Sequence, residues 1–370
     1  MQHFFLLLTR WPTVELDHGD VQIAPIRLLY FLLLFVQNLK AWLVMSQSKT
    51  KNKLFAPITG TVMPRFAGIA TFMRLPFLEF DHPSIDEVDI GLFGIPWDGG
   101  TTNRAGARHG PRQIRDLSTL ARNVNRASGI NPFELCNCAD LGDTPVNPVD
   151  LEDTLERVQR FVEQLHKKNM IPLAAGGDHL VTLPVMRAIA KDHPVGMVHF
   201  DAHTDTWDRY FGGSKYTHGT PFRRAIEEGL LDPKRTIQIG IRGALYNDSE
   251  NNWGIEQGIR VVDIDEYHAL GTQRVIDLAR QVVGTGPTYV SFDVDFLDPV
   301  YAPGTGTPEI GGATTYQAQQ LLRGLQGLNL IGGDVVEVSP PFDPSGNTAL
   351  VGMTMMFELL CVLAHARAQR

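Results

Sequence analysis

The 370-residue chain carries 33 Lys and Arg against 41 Asp and Glu, for a formal net charge of −8 and a pI near 5.8, which excludes nucleic-acid binding through a basic footprint. A hydrophobic share of 43% and a charged share of 20% are ordinary for a soluble protein with one large core. Three cysteines, Cys136, Cys138 and Cys361, are too few for a disulfide framework and point to a reducing, cytoplasmic compartment. Cys136 and Cys138 lack a second thiol pair or a nearby His, so they read as buried or inert rather than as a metal motif.

Residues 1–45 form an atypical apolar extension. Its run Leu28 to Val36, LLYFLLLFV, falls short of the roughly 20 apolar residues that a stable membrane span requires. No small-residue cleavage site follows it. Met45, followed by SQSKTKNK, looks like an ordinary start, so an upstream-misassigned initiation site is preferred over a membrane- or partner-associating helix.

Residues 46–370 show no low-complexity linker and no internal repeat, and read as a single domain. From residue 89 onward, β-branched runs alternate with helical patterns, the sign of βαβ units and a mostly parallel sheet with helices on both faces. Strands are predicted at Ile90 to Ile95, Ile171 to Ala174, Gly196 to Phe200, Thr236 to Ile241, Arg260 to Ile264, Thr288 to Phe292 and Asp334 to Val338. Apolar residues at helical spacing predict helices over Asp150 to Lys168, Val275 to Val283 and Tyr316 to Leu325. The stretch Thr348 to Ala366 is apolar around much of its circumference, as a helix packed on the sheet or on a subunit neighbour would be.

Three predicted strand ends deliver charged or imidazole groups: Gly176-Gly177-Asp178-His179, His199-Phe200-Asp201-Ala202-His203-Thr204-Asp205, and Ser291-Phe292-Asp293-Val294-Asp295. In open α/β sheets, ligands sit outside the carboxyl ends of the strands. Alternate residues of an extended segment share a face, so Asp201, His203 and Asp205 can point one way, as can Asp293 and Asp295. Singly, each is a cap or a satisfied core histidine. Together, four carboxylates and two imidazoles (His179 and His203) in one crevice repel one another unless cations neutralise them. Oxygen-rich ligation with two imidazoles suits a pair of divalent ions, Mn²⁺ first, with Ni²⁺, Co²⁺ or Fe²⁺ also fitting. Such a pair lowers the pKa of a shared water and gives a nucleophile without Ser or Cys.

The segments AAGGDHLVTLP, HFDAHTD, SFDVDFLDPVYAPGTGTPEIGG and DVVEVSPPFD together resemble the ureohydrolase (arginase/agmatinase) family. PRFAGIATFMRLP, DGGTTNRAGARHGPRQIR and THGTPFRRA bring the chain nearer to the bacterial guanidinobutyrases and guanidinopropionases than to the arginases. The resemblance spans about residue 64 to the C-terminus. It implies the three-layer α/β/α sandwich of that family, a homohexamer or homotrimer, and a metal-dependent amidinohydrolase releasing urea from a small guanidino compound. It further implies one metal on His179, Asp201, Asp205 and Asp293 and another on Asp201, His203, Asp293 and Asp295, with Asp201 and Asp293 bridging. His218 matches the family's proton-shuttling histidine, and Glu337 the glutamate that holds the guanidinium. Asp178 and His199, which flank the ligands, read as orienting groups.

Family members differ in how they recognise the substrate tail, which falls to loops. A carboxylate tail wants Arg or amide donors, and the loop Thr101 to Arg108 offers Asn103, Arg104 and Arg108; an amine tail wants an acid. Trp207 could close the pocket, and Glu309 is either a loop or a substrate residue. A short guanidino acid such as guanidinopropionate or guanidinobutyrate is the first expectation, free guanidine the second and agmatine the third. A hydrolase of another bond, such as a formimino group, and a catalytically silent subunit of a hetero-oligomer are the readings of other classes. Every chemical motif lies downstream of residue 64, so a chain beginning at Met45 is expected to keep full urea release. Loss of turnover in that soluble, metal-replete protein would overturn the reading of residues 1–44.

Overall fold

The computed structural model describes residues 53–245 and 248–370; the N-terminal extension lies outside the described residues. Eight strands form one sheet: β1 (Ile90–Gly94), β2 (Cys138–Asp143), β3 (Ile171–Ala175), β4 (Val195–Phe200), β5 (Leu231–Ile241), β6 (Arg260–Asp263), β7 (Thr288–Asp293) and β8 (Leu330–Val336). Their order is β2-β1-β3-β8-β7-β4-β5-β6, and every ladder is parallel. The main helices are α1 (Gly110–Leu117), α2 (Pro132–Leu135), α3 (Leu151–Lys167), α4 (Thr182–Ile189), α5 (Pro221–Glu227), α6 (Asp248–Gln257), α7 (Ile264–Leu270), α8 (Thr272–Val283), α9 (Thr315–Gly324) and α10 (Asn347–Ala368).

The three layers follow from period-two burial. Ile171, Leu173, Ala175, Val198 and Phe200 face one apolar cluster with α8, α9 and α10, while the alternating Ala174 and Met197 face another with α3, α4 and α5. Each interior strand is therefore apolar on both sides. α10 is long and apolar enough to cross a membrane, but 78% of its apolar window is buried inside the fold, where it packs on β8. This explains its unbroken apolar circumference.

Three departures from the sequence reading have physical causes. β2 was not predicted, because Cys-Ala-Asp-Leu-Gly-Asp has little β-branched character and becomes a strand by pairing with β1. β8 starts four residues before the predicted Asp334, at Leu330: side chains at Gly332 and Gly333 would crowd Tyr289 and the Val290 carbonyl, so packing selects glycines that weaken the strand signal. Beyond Phe200 and Asp293 the chain leaves the extended form at once. All three cysteines are buried.

β3, β8, β7 and β4 are consecutive in the sheet, and their carboxyl ends carry His179, Glu337, Asp293 and Asp201. The chain order thus scatters residues that the sheet order gathers. The β1 and β3 exits also cross at Gly177, where an added Cβ would lie 1.6 Å from the Trp97 carbonyl oxygen. Gly177→Ala must push these loops apart and is expected to cost about 2–4 kcal/mol of stability, read as a lower denaturation midpoint at unchanged m-value. An unchanged midpoint would show that the crossing yields freely.

Candidate metal centre

His179 leaves β3 in a short 3₁₀ turn whose N-cap is Asp178. Its ring is held by its far nitrogen. Ser291 donates its hydroxyl to Asp334 Oδ1 at 2.7 Å, so the Ser291 oxygen, 2.8 Å from His179 Nε2, accepts the imidazole N–H. Tyr289 and Thr182 hydroxyls donate to the other Asp334 oxygen at 2.8 and 2.7 Å. The tautomer is thereby fixed, and Nδ1 presents a bare lone pair. That lone pair is buried without a hydrogen-bond partner, yet it lies 3.0 Å from Asp201 Oδ2, 3.0 Å from Asp205 Oδ2 and 3.2 Å from Asp293 Oδ2.

On the other side, His203 Nδ1 stands 3.4 Å from Asp201 Oδ1 and 3.1 Å from Asp295 Oδ2. Asp201 therefore turns one oxygen toward each imidazole, the geometry of a bridging ligand. Asp293 Oδ1 accepts the Asp295 amide at 2.8 Å, leaving Oδ2 for the His179 side. Asp295 Oδ1 accepts the Ala202 amide at 3.0 Å, and its Oδ2 is buried with no donor. His199 is close enough to be taken for a ligand. However, Gln238 donates to its Nδ1 at 3.1 Å and its Nε2 lies 2.7 Å from Asp201 Oδ2, so both ring nitrogens are used. This geometry suits a group that orients Asp201.

The electrostatics show what this crowding lacks. Burial, with Asp295 and Asp201 nearby, drives Asp293 well above the usual carboxylate range, and burial with Asp201 raises Asp295 to about 6. Burial opposes a charge on His179, but Asp201, Asp205 and Asp293 overcome it and raise the imidazole well above its ordinary value. Without cations, the centre takes up protons. Orphaned donor atoms, four converging carboxylates and two imidazoles fit a pair of divalent ions, which would take the place of those protons.

Asp201, His203 and Asp205 do converge, although not as alternate residues of a strand. The segment after β4 is a loop, and Asp205 adopts a left-handed φ of 52° that turns its carboxylate back toward His179. Asp295 similarly comes from a 3₁₀ turn, Val294–Phe296.

Glu337 also has a positive φ, 63°, held by its amide donating to Gly177 O at 2.8 Å. Its Oε1 accepts the His179 amide at 3.0 Å and lies 2.8 Å from His218 Nδ1; its Oε2 is buried with no donor. His218 Nε2 meets the Thr102 amide at 3.1 Å and hydroxyl at 2.7 Å. Burial works against the His218 imidazolium, but Glu337 outweighs it and raises the ring to about 9. Asp178, which receives the Gly100 amide at 2.6 Å, is pushed up to about 7 by burial and Glu337.

The predicted tail residues are dispersed. Asn103 and Arg104 donate to main-chain carbonyls at Thr305 and Gly306, and Arg108 pairs with Asp98 at 2.5 Å. Trp207 is half-buried against Tyr210, with ring centroids 5.7 Å apart. Glu309 is half-buried beside Gly243, and its carbonyl accepts from Arg242 at 2.7 Å. Ser291, Asp334, Gln238 and Thr102 were missed. Ser291 and Asp334 stand inside quoted motifs, but only the β7–β8 register pairs them.

The Arginase family model matches residues 88–361. The chain is 62% identical over 313 residues to a guanidinopropionase of Pseudomonas aeruginosa, covering 85% of this chain and 97% of that protein. A guanidinobutyrase of the same species is 48% identical, at 84% and 98% coverage. Among solved structures, proclavaminate amidinohydrolase from Streptomyces clavuligerus superposes with a TM-score of 0.77 at 43% identity, covering 82% of this chain and 99% of that one.

If Asp293 bridges, as the family resemblance implies, Asp293→Asn weakens both ions together, because an amide supplies no negative charge. Asp205→Asn, facing only the His179 side, should leave about one ion per subunit. Equal metal contents in the two folded variants, by elemental analysis, would sink the bridging role of Asp293.

Proposed function

The chain belongs to the arginase family, as an amidinohydrolase that cuts a guanidino compound to urea and an amine, and we propose that its substrate is a short guanidino acid, guanidinopropionate first. The support for that choice is the 62% identity to a guanidinopropionase across 85% of the chain. Free guanidine and then agmatine follow in order. Two divalent ions, Mn²⁺ before Ni²⁺ on the strength of the oxygen-rich ligand set, would be held by His179, Asp201, Asp205 and Asp293 and by Asp201, His203, Asp293 and Asp295. When bound, the pair supplies a hydroxide nucleophile at neutral pH. A homotrimer or homohexamer, expected from the family resemblance, and a cytoplasmic location, suggested by the cysteine usage, complete the reading.

The observation that carries the site assignment is the free oxygen of Glu337. A buried carboxylate oxygen with no donor calls for a cationic N–H partner, and a planar guanidinium provides one with matched geometry. Glu337 Oε2 would fix the guanidinium plane, while Oε1 keeps the His218 ring aligned beside it. His218, whose ring the Glu337 carboxylate raises to about 9, would deliver a proton to the departing amine, while Thr102 meets the opposite ring edge. Trp207 would wall the tail, with Glu309 flanking it.

The decisive experiment measures urea from guanidinopropionate, guanidinobutyrate, guanidine, agmatine and arginine after loading with Mn²⁺ or Ni²⁺. Guanidinopropionate should give the highest kcat/KM; a preference for agmatine would replace the acid reading. On the best substrate, His218→Ala should lower turnover about 10²- to 10⁴-fold with both ions retained. Loss of one metal equivalent would make His218 a ligand instead.

A further inference from the structure

Arg104 leaves the loop after β1, but its guanidinium engages two other loops. Nε donates to Gly306 O at 3.3 Å and Nη2 to Thr305 O at 2.6 Å, both in the segment after β7. The guanidinium carbon also lies 4.4 Å from the centroid of the Phe342 ring, in the turn after β8. Asn103 adds a bond from Nδ2 to Gly306 O at 3.2 Å. One side chain therefore ties together the carboxyl-end loops of three strands.

What that tie positions is the wall beside Glu337. A Cβ placed on Gly306 would lie 3.3 Å from Glu337 Oε2 and 3.3 Å from the Arg104 carbonyl oxygen. Gly306 thus borders the free carboxylate oxygen so closely that even an added methyl would crowd it, and the bonds from Arg104 hold it there. One edge of the guanidinium, Nε with Nη2, is bonded to the two carbonyls and one face lies against a ring, so the side chain is already held by the loops it joins.

Resting on the reading of Glu337 as the guanidinium acceptor, we propose that Arg104 is a positioning residue: it holds Gly306 against Glu337 and so shapes the seat for the guanidinium, whatever tail follows. Lysine cannot replace it, since a point charge neither bonds two carbonyls as a planar fork nor stacks in the same way.

The test compares the parent protein with Arg104→Ala and Arg104→Lys, using guanidinopropionate and agmatine, whose tails carry opposite charges, and calorimetric binding of guanidinium chloride. The expected result is a loss in kcat/KM of the same factor for both tails, on the order of 10- to 100-fold, with weaker guanidinium binding and an unchanged metal content. Arg104→Lys should recover little of it. Phe342→Leu, which removes only the stacking partner, should give the same pattern at smaller amplitude and serves if the Arg104 variants fold poorly. A loss confined to guanidinopropionate, with agmatine turnover and guanidinium binding intact, would overturn the proposal and make Arg104 a tail anchor. Loss of metal in Arg104→Lys or Phe342→Leu would also overturn it. Failure of the parent protein to release urea from any guanidino compound would defeat the substrate reading instead, while guanidinium binding would still report on the seat.

Discussion

The lone pair of His179 Nδ1, pointed at oxygens of Asp201, Asp205 and Asp293 within 3.2 Å, governs most of what surrounds it. Repulsion of that kind in a dry crevice has to be resolved by a cation or by protons. The surrounding polar groups keep the crowded donors from turning away: Asp334 fixes His179 through Ser291, Gln238 fixes Asp201 through His199, and main-chain amides restrain one oxygen each of Asp293 and Asp295. The parallel sheet serves the same end by placing β3, β8, β7 and β4 side by side, so that their carboxyl ends bring these groups together.

Much of this was legible in the sequence because the candidate ligands stand at or just beyond strand ends, and apolar runs ending in Asp or His mark those ends directly. The alternation argument expected Asp201, His203 and Asp205 to converge, and they do, but on a different backbone, since a left-handed Asp205 brings about what an extended strand would have done. β2 stayed hidden because its residues gain strand character only from their neighbour. The Ser291–Asp334 pairing was illegible for a different reason: register across a parallel ladder is a tertiary fact, and the two residues are 43 apart in the chain. Arg104 was legible as a cation near the site but not as one already occupied by carbonyls of a distant loop.

Two site residues sit at positive φ, Asp205 and Glu337, a conformation that costs non-glycine residues about 1–3 kcal/mol each. Both are held by neighbours: the Asp205 carbonyl accepts the Phe222 amide at 3.1 Å, and the Glu337 amide donates to Gly177 O at 2.8 Å. Local strain in the chain is thus offset by the packed strands around it.

The two imidazoles of the centre differ sharply in solvent access: the His179 side chain is 1% exposed and that of His203 30%. An ion held on the His203 side would lie nearer to bulk water than one held on the His179 side. The two positions should then differ in exchange kinetics even where their affinities are similar.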